Sequence, residues 1–484
     1  MKTKYKLLCL LLTLLSFSCS KWVEVKPVDR LGEDQLFVNK EGYLKALNGV
    51  YVEMTNRALY GQEMTAATVD VLGQYYFMTN TQHVFLQRTT FAYTDEGVRR
   101  VFDGAWKKAY ELIANCNVII EKCGDGPSQA LPQPYHGIIK GEALALRAML
   151  HLDMLRLFGP IYSTGRTLPA IPYVSKSGFE IAPIVSAEQG MQQVTADLKS
   201  ALLLMADTDP IRTEGVRNSA NPVGGNDLHY RQYRLNYYAT KLLLARAYLW
   251  QGNKVDALLH AEELLNEVQT PTKTVFPYVT QANATHAERP DRVFSTEVMF
   301  SLYDINRLQM YNRLFDVNLQ VTSKLSFHTG TDFTRVQATY DDGNDYRRRV
   351  WQNASSGTVT ALTNTKYADV VDGPGRYMIP LIKLSEALLI AAECHPDLAT
   401  GTTYLNKLRT ARNTFNLTPT ATNLITELGK EYRREFLGEG QLFYFYKRNS
   451  FQNIPNHAVL NGEKTMVLNN YVVPLPDSEI SQRN

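Results

Sequence analysis

Three stretches of this 484-residue chain gather side chains that could do chemistry. His260-Ala261-Glu262-Glu263 sets an imidazole close to two carboxylates. A zinc-peptidase helix needs two histidines four apart with a glutamate after the first; the order and spacing here are wrong, so a solvated helix face is expected. Asp341-Asp342-Gly343-Asn344-Asp345 offers hard oxygen ligands but lacks the alternating positions and closing glutamate of a calcium loop. It reads as a polar turn, with a structural calcium left open and no other cofactor implied. Glu431-Tyr432-Arg433-Arg434-Glu435, followed by Glu439, is a charge run whose spacing suits ion pairs on a solvated helix. The apolar-aromatic string Leu442 to Tyr446 behind it suggests instead a helix end packed onto the body, a structural role. Phosphate-binding glycine loops, dinucleotide fingerprints and nucleophile elbows do not occur. Carboxylate pairs for glycoside cleavage are defined by distance in space. Nothing in the sequence supports one, so no enzyme and no catalytic residue are predicted.

Composition and the N-terminus narrow the classes further. The 51 Lys+Arg residues against 48 Asp+Glu leave a formal charge of +3, too balanced for a nucleic-acid binder. With 44% hydrophobic and 20% charged residues the chain can bury a core, which excludes disorder. Tyrosine is in excess, 28 against four tryptophans. Such flat rings with a polar edge suit a binding surface, although packing absorbs them equally well. Residues 1–18 carry Lys2, Lys4 and Lys6, then an apolar run from Leu7 to Leu15. These are the charged and hydrophobic regions of a secretory signal, too short for a bilayer span of about 20 residues. Leu15-Ser16-Phe17-Ser18-Cys19 resembles the lipobox of a bacterial lipoprotein, with the leucine one residue further from the cysteine than usual. A plain secretory signal is the alternative. On the lipobox reading Cys19 is an acylated N-terminus and the attachment to a membrane is lipid. Removing the three signal lysines leaves 48 basic and 48 acidic residues, a formally neutral mature chain. Only Cys116, Cys123 and Cys394 follow, too few for a disulfide framework. The first two lie about 10 Å apart along one helix, beyond disulfide reach, and read as core residues.

The elements that must position any site are helices. Phe102, Trp106, Ala109, Ile113, Cys116 and Ile120 alternate steps of four and three and stop at Gly124-Asp125-Gly126, an amphipathic helix with a glycine stop. A second helix, about His136 to Phe158, is apolar nearly all round and should be buried. A third runs from about Ser186 to Met205. The Gly-, Asn- and Pro-rich stretch Asp209 to Asn226 reads as a loop. A helix pair follows, Leu235 to Trp250 and Lys254 to Glu267, with Val255, Leu258, Ala261 and Leu265 expected inward. Its length approaches the tetratricopeptide period. A similar pair, Ile382 to Cys394 and about Thr402 to Asn413, recurs near the end, and one charged helix spans Leu424 to Gly438. Pairs of this kind must stack on neighbours to bury their apolar faces, which predicts a contiguous right-handed stack. Two long irregular excursions interrupt it, Tyr60 to Tyr93 and Thr270 to Gly375, and loops of that length are usually functional.

Short motifs follow one another along nearly the whole chain. Ser20-Lys21-Trp22-Val23-Glu24-Val25-Lys26-Pro27 stands behind Cys19, then Leu47-Asn48-Gly49-Val50-Tyr51, then Trp106, Tyr110, Asn115 and Asn117 on one helix. Gly141-Glu142-Ala143 runs through Leu146-Arg147-Ala148 to Arg156-Leu157-Phe158-Gly159. Further on come Glu297-Val298-Met299-Phe300, and Ala391-Ala392-Glu393 with Leu405-Asn406-Lys407-Leu408-Arg409. Last are Arg433-Arg434-Glu435-Phe436 with Glu439-Gly440 and Lys447-Arg448, and Val473-Pro474-Leu475-Pro476 with Glu479-Ile480. In this order they resemble the SusD/RagB family of nutrient-uptake lipoproteins of Bacteroidetes-type bacteria.

The resemblance implies a mainly α fold, a tetratricopeptide-like helical-pair scaffold with irregular loop excursions supplying the ligand face. It divides the chain into the signal (1–18), an N-terminal helical region (19–269) and a C-terminal region with ligand-face loops and the last helical pair (270–484). It also implies a lipid-anchored protein on the extracellular face of the outer membrane. There it would capture oligosaccharide, or alternatively peptide, and deliver it to a SusC-like TonB-dependent barrel. A surface hydrolase and a purely structural adaptor are the remaining alternatives. The motifs are structural in the family and transfer no binding residue. Trp106 and Trp250 lie on helices and Trp22 near the anchor, leaving Trp351 in an excursion. By position in the two excursions the candidate ligand-binding residues are Tyr75, Tyr76, Tyr303, Tyr311, Phe315, Tyr340 and Trp351, with packing as the alternative for each.

Overall fold

The computed structural model describes residues 33–270 and 272–483, so the signal segment, Cys19 and Trp22 lie outside it. Its scaffold is a series of helices packed side by side. Helix α1 (Lys40–Met54) starts at Asn39, whose side chain accepts the Gly42 N–H. Helix α2 (Glu96–Cys123) is capped by Asp95 and ends at Gly124, whose φ of +64° favours a residue without a Cβ. The stripe Phe102, Trp106, Ala109, Ile113 and Cys116 is buried. Helix α3 (Tyr135–Phe158) is buried on nearly every side because it lies between α2 and α4 (Ala187–Met205). Ser186 and Gln189 form a reciprocal capping box at the start of α4. Helices α5 (Tyr237–Trp250) and α6 (Lys254–Val268) continue the stack from α4, and α6 packs on α8 (Leu384–Cys394), which packs on α9 (Leu398–Ala411). The faint repeats therefore do form one contiguous layer, with a core continuous from Tyr43 to Val473.

Three expectations change in detail. Val255, expected inward, is 78% exposed, because α6 turns Ala257, Ala261, Leu264, Leu265 and Val268 to the stack. Ile382 lies in a strand that runs to Lys383, and α8 begins only at Leu384. The second helix of the last pair starts at Leu398, four residues early, because Asp397 in the chain break is itself its N-cap.

The long C-terminal excursion is tied to the stack by strand β3 (Val298–Tyr303), which pairs antiparallel with β6 (Met378–Lys383), Tyr303 opposite Met378. Between them lie α7 (Arg307–Leu314) and a hairpin, β4 (Trp351–Ser356) with β5 (Val359–Asn364). Before α4, the short strands β1 (Pro169–Pro172) and β2 (Ile184–Ser186) form a ribbon. Helices α10 (Leu424–Glu435) and α11 (Leu442–Arg448) close the body.

The charge run on α10 is not a solvated face. Glu431, Arg434, Glu435 and Glu439 are buried in an ionic network whose other members come from distant segments. Arg347 binds Asp345 at 2.7 Å, Glu431 at 2.9 Å and Glu435 at 3.1 Å. Arg412 bridges Glu297 (2.7 Å) and Glu435 (2.8 Å), and Lys383 reaches Glu435 at 3.2 Å and Glu439 at 2.8 Å. Burial alone would raise the Glu431 carboxyl, but Arg347, Arg434 and Arg409 overcome it and hold it at about 2. The same balance of burial against Arg412 and Lys383 keeps Glu435 well below its ordinary range. The aromatic string behind the run does pack down, as α11.

Candidate functional site: an exposed aromatic face beside a cleft

Several motif residues far apart in sequence bond one another, which explains their types. The Tyr51 hydroxyl donates to Glu142 at 2.6 Å, and Glu142 also pairs with Arg231. Arg147 holds Asp197 through two 2.7 Å bonds and Asn117 at 2.8 Å. Lys447 donates to the carbonyls of Leu157 and Gly159, Arg448 pairs with Glu393, and Trp106 Nε1 donates to Glu479 at 3.3 Å. These groups are engaged in holding elements together. The Asp341–Asp345 turn is likewise committed: Asp341 pairs with Arg434, Asp342 accepts the Phe415 N–H, and Asp345 pairs with Arg347. Among the described residues no group of three His, Cys, Asp or Glu side chains is placed to hold a metal ion.

The two excursions meet, as a shared ligand face would require. Phe77 N–H donates to the Ser326 carbonyl at 2.8 Å, Val84 N–H to Thr322 at 2.9 Å, and Arg313 Nε to Gln62 at 2.8 Å. Most of the candidate rings, however, lie inside that junction. Tyr75 and Tyr76 are fully buried, their hydroxyls donating to the carbonyls of Tyr432 and Ala66. Phe315 packs on Tyr76 at 6.0 Å, Trp351 stacks on Phe327 at 4.0 Å, and Tyr340 is also buried. A ring with no exposed face cannot stack on a ligand, so Tyr75, Tyr76, Phe315, Tyr340 and Trp351 are core residues here. Tyr311 is half-buried, edge to face with none of the exposed rings but 6.5 Å from Phe315.

Tyr303 is different. It ends β3 with 51% of its surface exposed, between Tyr233 and Tyr377, each with its ring centroid 5.2 Å away. Each neighbour is positioned by buried polar bonds. Tyr233 ends a single turn whose Arg231 binds Asp209 and Glu142, and whose Gln232 side chain donates to the carbonyls of Ser295 and Val298. Tyr377 precedes β6, and its carbonyl accepts the Asp304 N–H at 2.9 Å. Arg307 fixes the same segment by donating to the carbonyls of Gly375 (2.8 Å) and Met378 (2.9 Å). Gly375 has φ of +64°, and a Cβ there would stand 2.5 Å from Val293, so the turn requires glycine. Arg376 lies over the Tyr377 ring at 5.2 Å and grips Asp369 through two 2.7 Å bonds, holding that carboxyl below its ordinary value.

Tyr233, Gly375 and Met378 also line an open cleft of about 880 Å³, with Glu214, Asn218 and Lys273 among its polar groups. Exposed ring faces beside amide, carboxylate and ammonium groups suit a ligand with flat apolar faces and a hydroxylated edge. Tyr233 and Tyr377 escaped the sequence reading because they lie outside the two excursions. The available signal was their position, one directly behind the Gly- and Asn-rich loop and one directly before the apolar run of β6.

Residues 278–483 match the model of the SusD family. The mainly helical fold is shared over nearly the full length of the chain with solved SusD-like structures. A SusD-like carbohydrate-binding protein from Bacteroides vulgatus ATCC 8482 superposes with a TM-score of 0.69 at 19% identity, covering 92% of this chain and 96% of that one. A SusD superfamily protein from Bacteroides thetaiotaomicron VPI-5482 gives 0.68 at 20%, covering 92% and 98%. One from Bacteroides fragilis gives 0.66 at 16%, also covering 92% and 98%. No curated protein matches the chain significantly.

Proposed function

We propose that this protein is a lipid-anchored cell-surface lipoprotein that captures oligosaccharide on the Tyr303 face and hands it to a SusC-like TonB-dependent barrel without cleaving it. The observation that carries the reading is the cluster of Tyr303, Tyr233 and Tyr377, of which Tyr233 also lines a cleft with polar groups. Sugar rings present apolar C–H faces to such rings and hydroxyls to the rim. The SusD family-model match over residues 278–483 and a carbohydrate-binding protein among the structural neighbours support the same ligand class. Among the described residues no helix is long and apolar enough to cross a membrane. Attachment would come from Cys19, and Cys19→Ala should release the chain from membranes on fractionation.

Glycan and peptide arrays probed with residues 20–484 test the ligand class. Binding to neutral oligosaccharides is expected, and binding to peptides alone would overturn the reading in favour of a peptide carrier. Chromatography of a bound glycan should show no product; turnover would make the protein a hydrolase. A large barrel protein should co-purify after detergent extraction, and its absence would remove the delivery step.

A further inference from the structure

Most buried arginines meet a carboxylate; Arg307, which is held by two carbonyls beside Tyr377, and two arginines at one pocket do not. Arg347, Arg412 and Arg434 each meet a carboxylate at 3.1 Å or closer, as does Arg147. Arg335 is 5% exposed and Arg433 9% exposed, yet neither has a carboxylate within 4 Å among the described residues. Arg335 makes one bond, from Nη1 to the Asn456 carbonyl at 3.2 Å, and its Nε and Nη2 have no partner. Arg433 donates from Nη2 to the Gln74 carbonyl at 3.2 Å, and its Nη1 has none. Each also lies over a ring, Arg335 over Phe77 at 5.5 Å and Arg433 over Tyr75 at 5.2 Å, but without a counter-charge the lost hydration is only partly recovered.

Both arginines line one pocket of about 380 Å³, separate from the cleft beside Tyr303. Its other cations are already neutralised, Lys430 by Glu427 at 2.7 Å and Arg434 by Glu431 and Asp341. Glu463 is the one carboxylate in the lining; it is exposed and forms no ion pair among the described residues. The wall therefore carries excess positive charge poorly screened by water, which raises its field in the pocket. Burial, with the Arg433 charge adding to it, lowers the Arg335 guanidinium to about 10. Asn453, Asn456 and Asn461 add amide groups, and Tyr446 and Ile454 an apolar side.

We infer that this pocket is a second ligand site, one that takes the carboxylate of an acidic saccharide residue against Arg335 and Arg433. A planar carboxylate matches the guanidinium fork, and the amides suit the hydroxyls of the same sugar. The saccharide part rests on the glycan-capture reading, whereas the carboxylate part rests on the two unpaired arginines alone.

Calorimetry with trigalacturonate and with its fully methyl-esterified form tests it on the mature chain. The acid should bind at least about tenfold more tightly than the ester, with an affinity that falls as salt rises. Arg335→Gln should erase that preference, and Arg335→Lys should keep part of it. Because the arginine is unpaired, Arg335→Gln should leave the melting temperature unchanged or raised, which a purely structural arginine would not. Equal affinity for acid and ester, or a preference that survives Arg335→Gln at a normal melting temperature, would overturn the inference. If neutral glycans still bind the arrays in that case, the capture reading stands; loss of all saccharide binding, neutral and acidic, would overturn both.

Discussion

The network around Glu435 and the face around Tyr303 use the same residue types found throughout the chain, but in opposite ways. Around Glu435, charges are fully buried and each is met by partners from distant segments, so the network ties α10 to β6, α9 and the turn before β4. Around Tyr303, aromatic rings are left half-exposed while their backbones are held by buried bonds from Arg231, Gln232 and Arg307. The first region spends its polarity on rigidity. The second uses a rigid frame to hold apolar faces open to solvent. The difference teaches that in this fold paired, buried charge marks the scaffold, whereas half-exposed tyrosine marks the surface proposed to meet ligand.

Changes in the network should produce the largest effects, and on stability alone. Glu435→Gln leaves Arg412 and Lys383 short of a counter-charge and should cost about 3 to 5 kcal/mol of unfolding free energy, read as a lower urea midpoint. Acid should act on the same groups. The Glu431 carboxyl sits at about 2 in the folded chain against an ordinary value of 4.5. The unfolded chain therefore binds more protons in that window, so the contribution is complete above the ordinary value and is lost as pH falls towards 2. Urea midpoints measured from pH 6 down to pH 2.5 should fall most steeply below pH 4.5, and less steeply in Glu435→Gln, which lacks one of the depressed carboxylates. A smaller effect is expected at Tyr75→Phe, which leaves the Tyr432 carbonyl without its 3.3 Å bond and should cost about 1 kcal/mol while leaving glycan affinity unchanged. A drop in affinity there would place ligand contact inside the excursion junction and dissolve the contrast.

The contrast also explains what the sequence revealed. The helices are legible because their apolar spacing and glycine stops are local signals, whereas the starts capped by Asp95 and Asp397 lie ahead of the apolar stripes and are not marked by that spacing. The fate of the Glu431–Glu439 run was not, because its spacing equally suits a solvated helix. Its partners Glu297, Arg347, Lys383 and Arg412 come together only through tertiary folding. Five of the seven aromatic candidates are buried for a related reason. Tyr75 and Tyr303 both sit within the two long excursions, and only the packing of α10 over one and the open end of β3 at the other separates core from surface. Arg433 lay in a recognised motif, but that it lacks a carboxylate partner while Arg434 beside it has two is visible only in three dimensions.

The central claim is that Tyr303 belongs to the surface that meets the ligand. Titration calorimetry of Tyr303→Ala against a neutral oligosaccharide selected on the array, with melting temperature measured in parallel, tests it most directly. Loss of a stacking ring should cost roughly 1 to 2 kcal/mol of binding, about a five- to thirtyfold weaker Kd, with little change in melting temperature. An unchanged Kd in a normally folded variant would contradict the account.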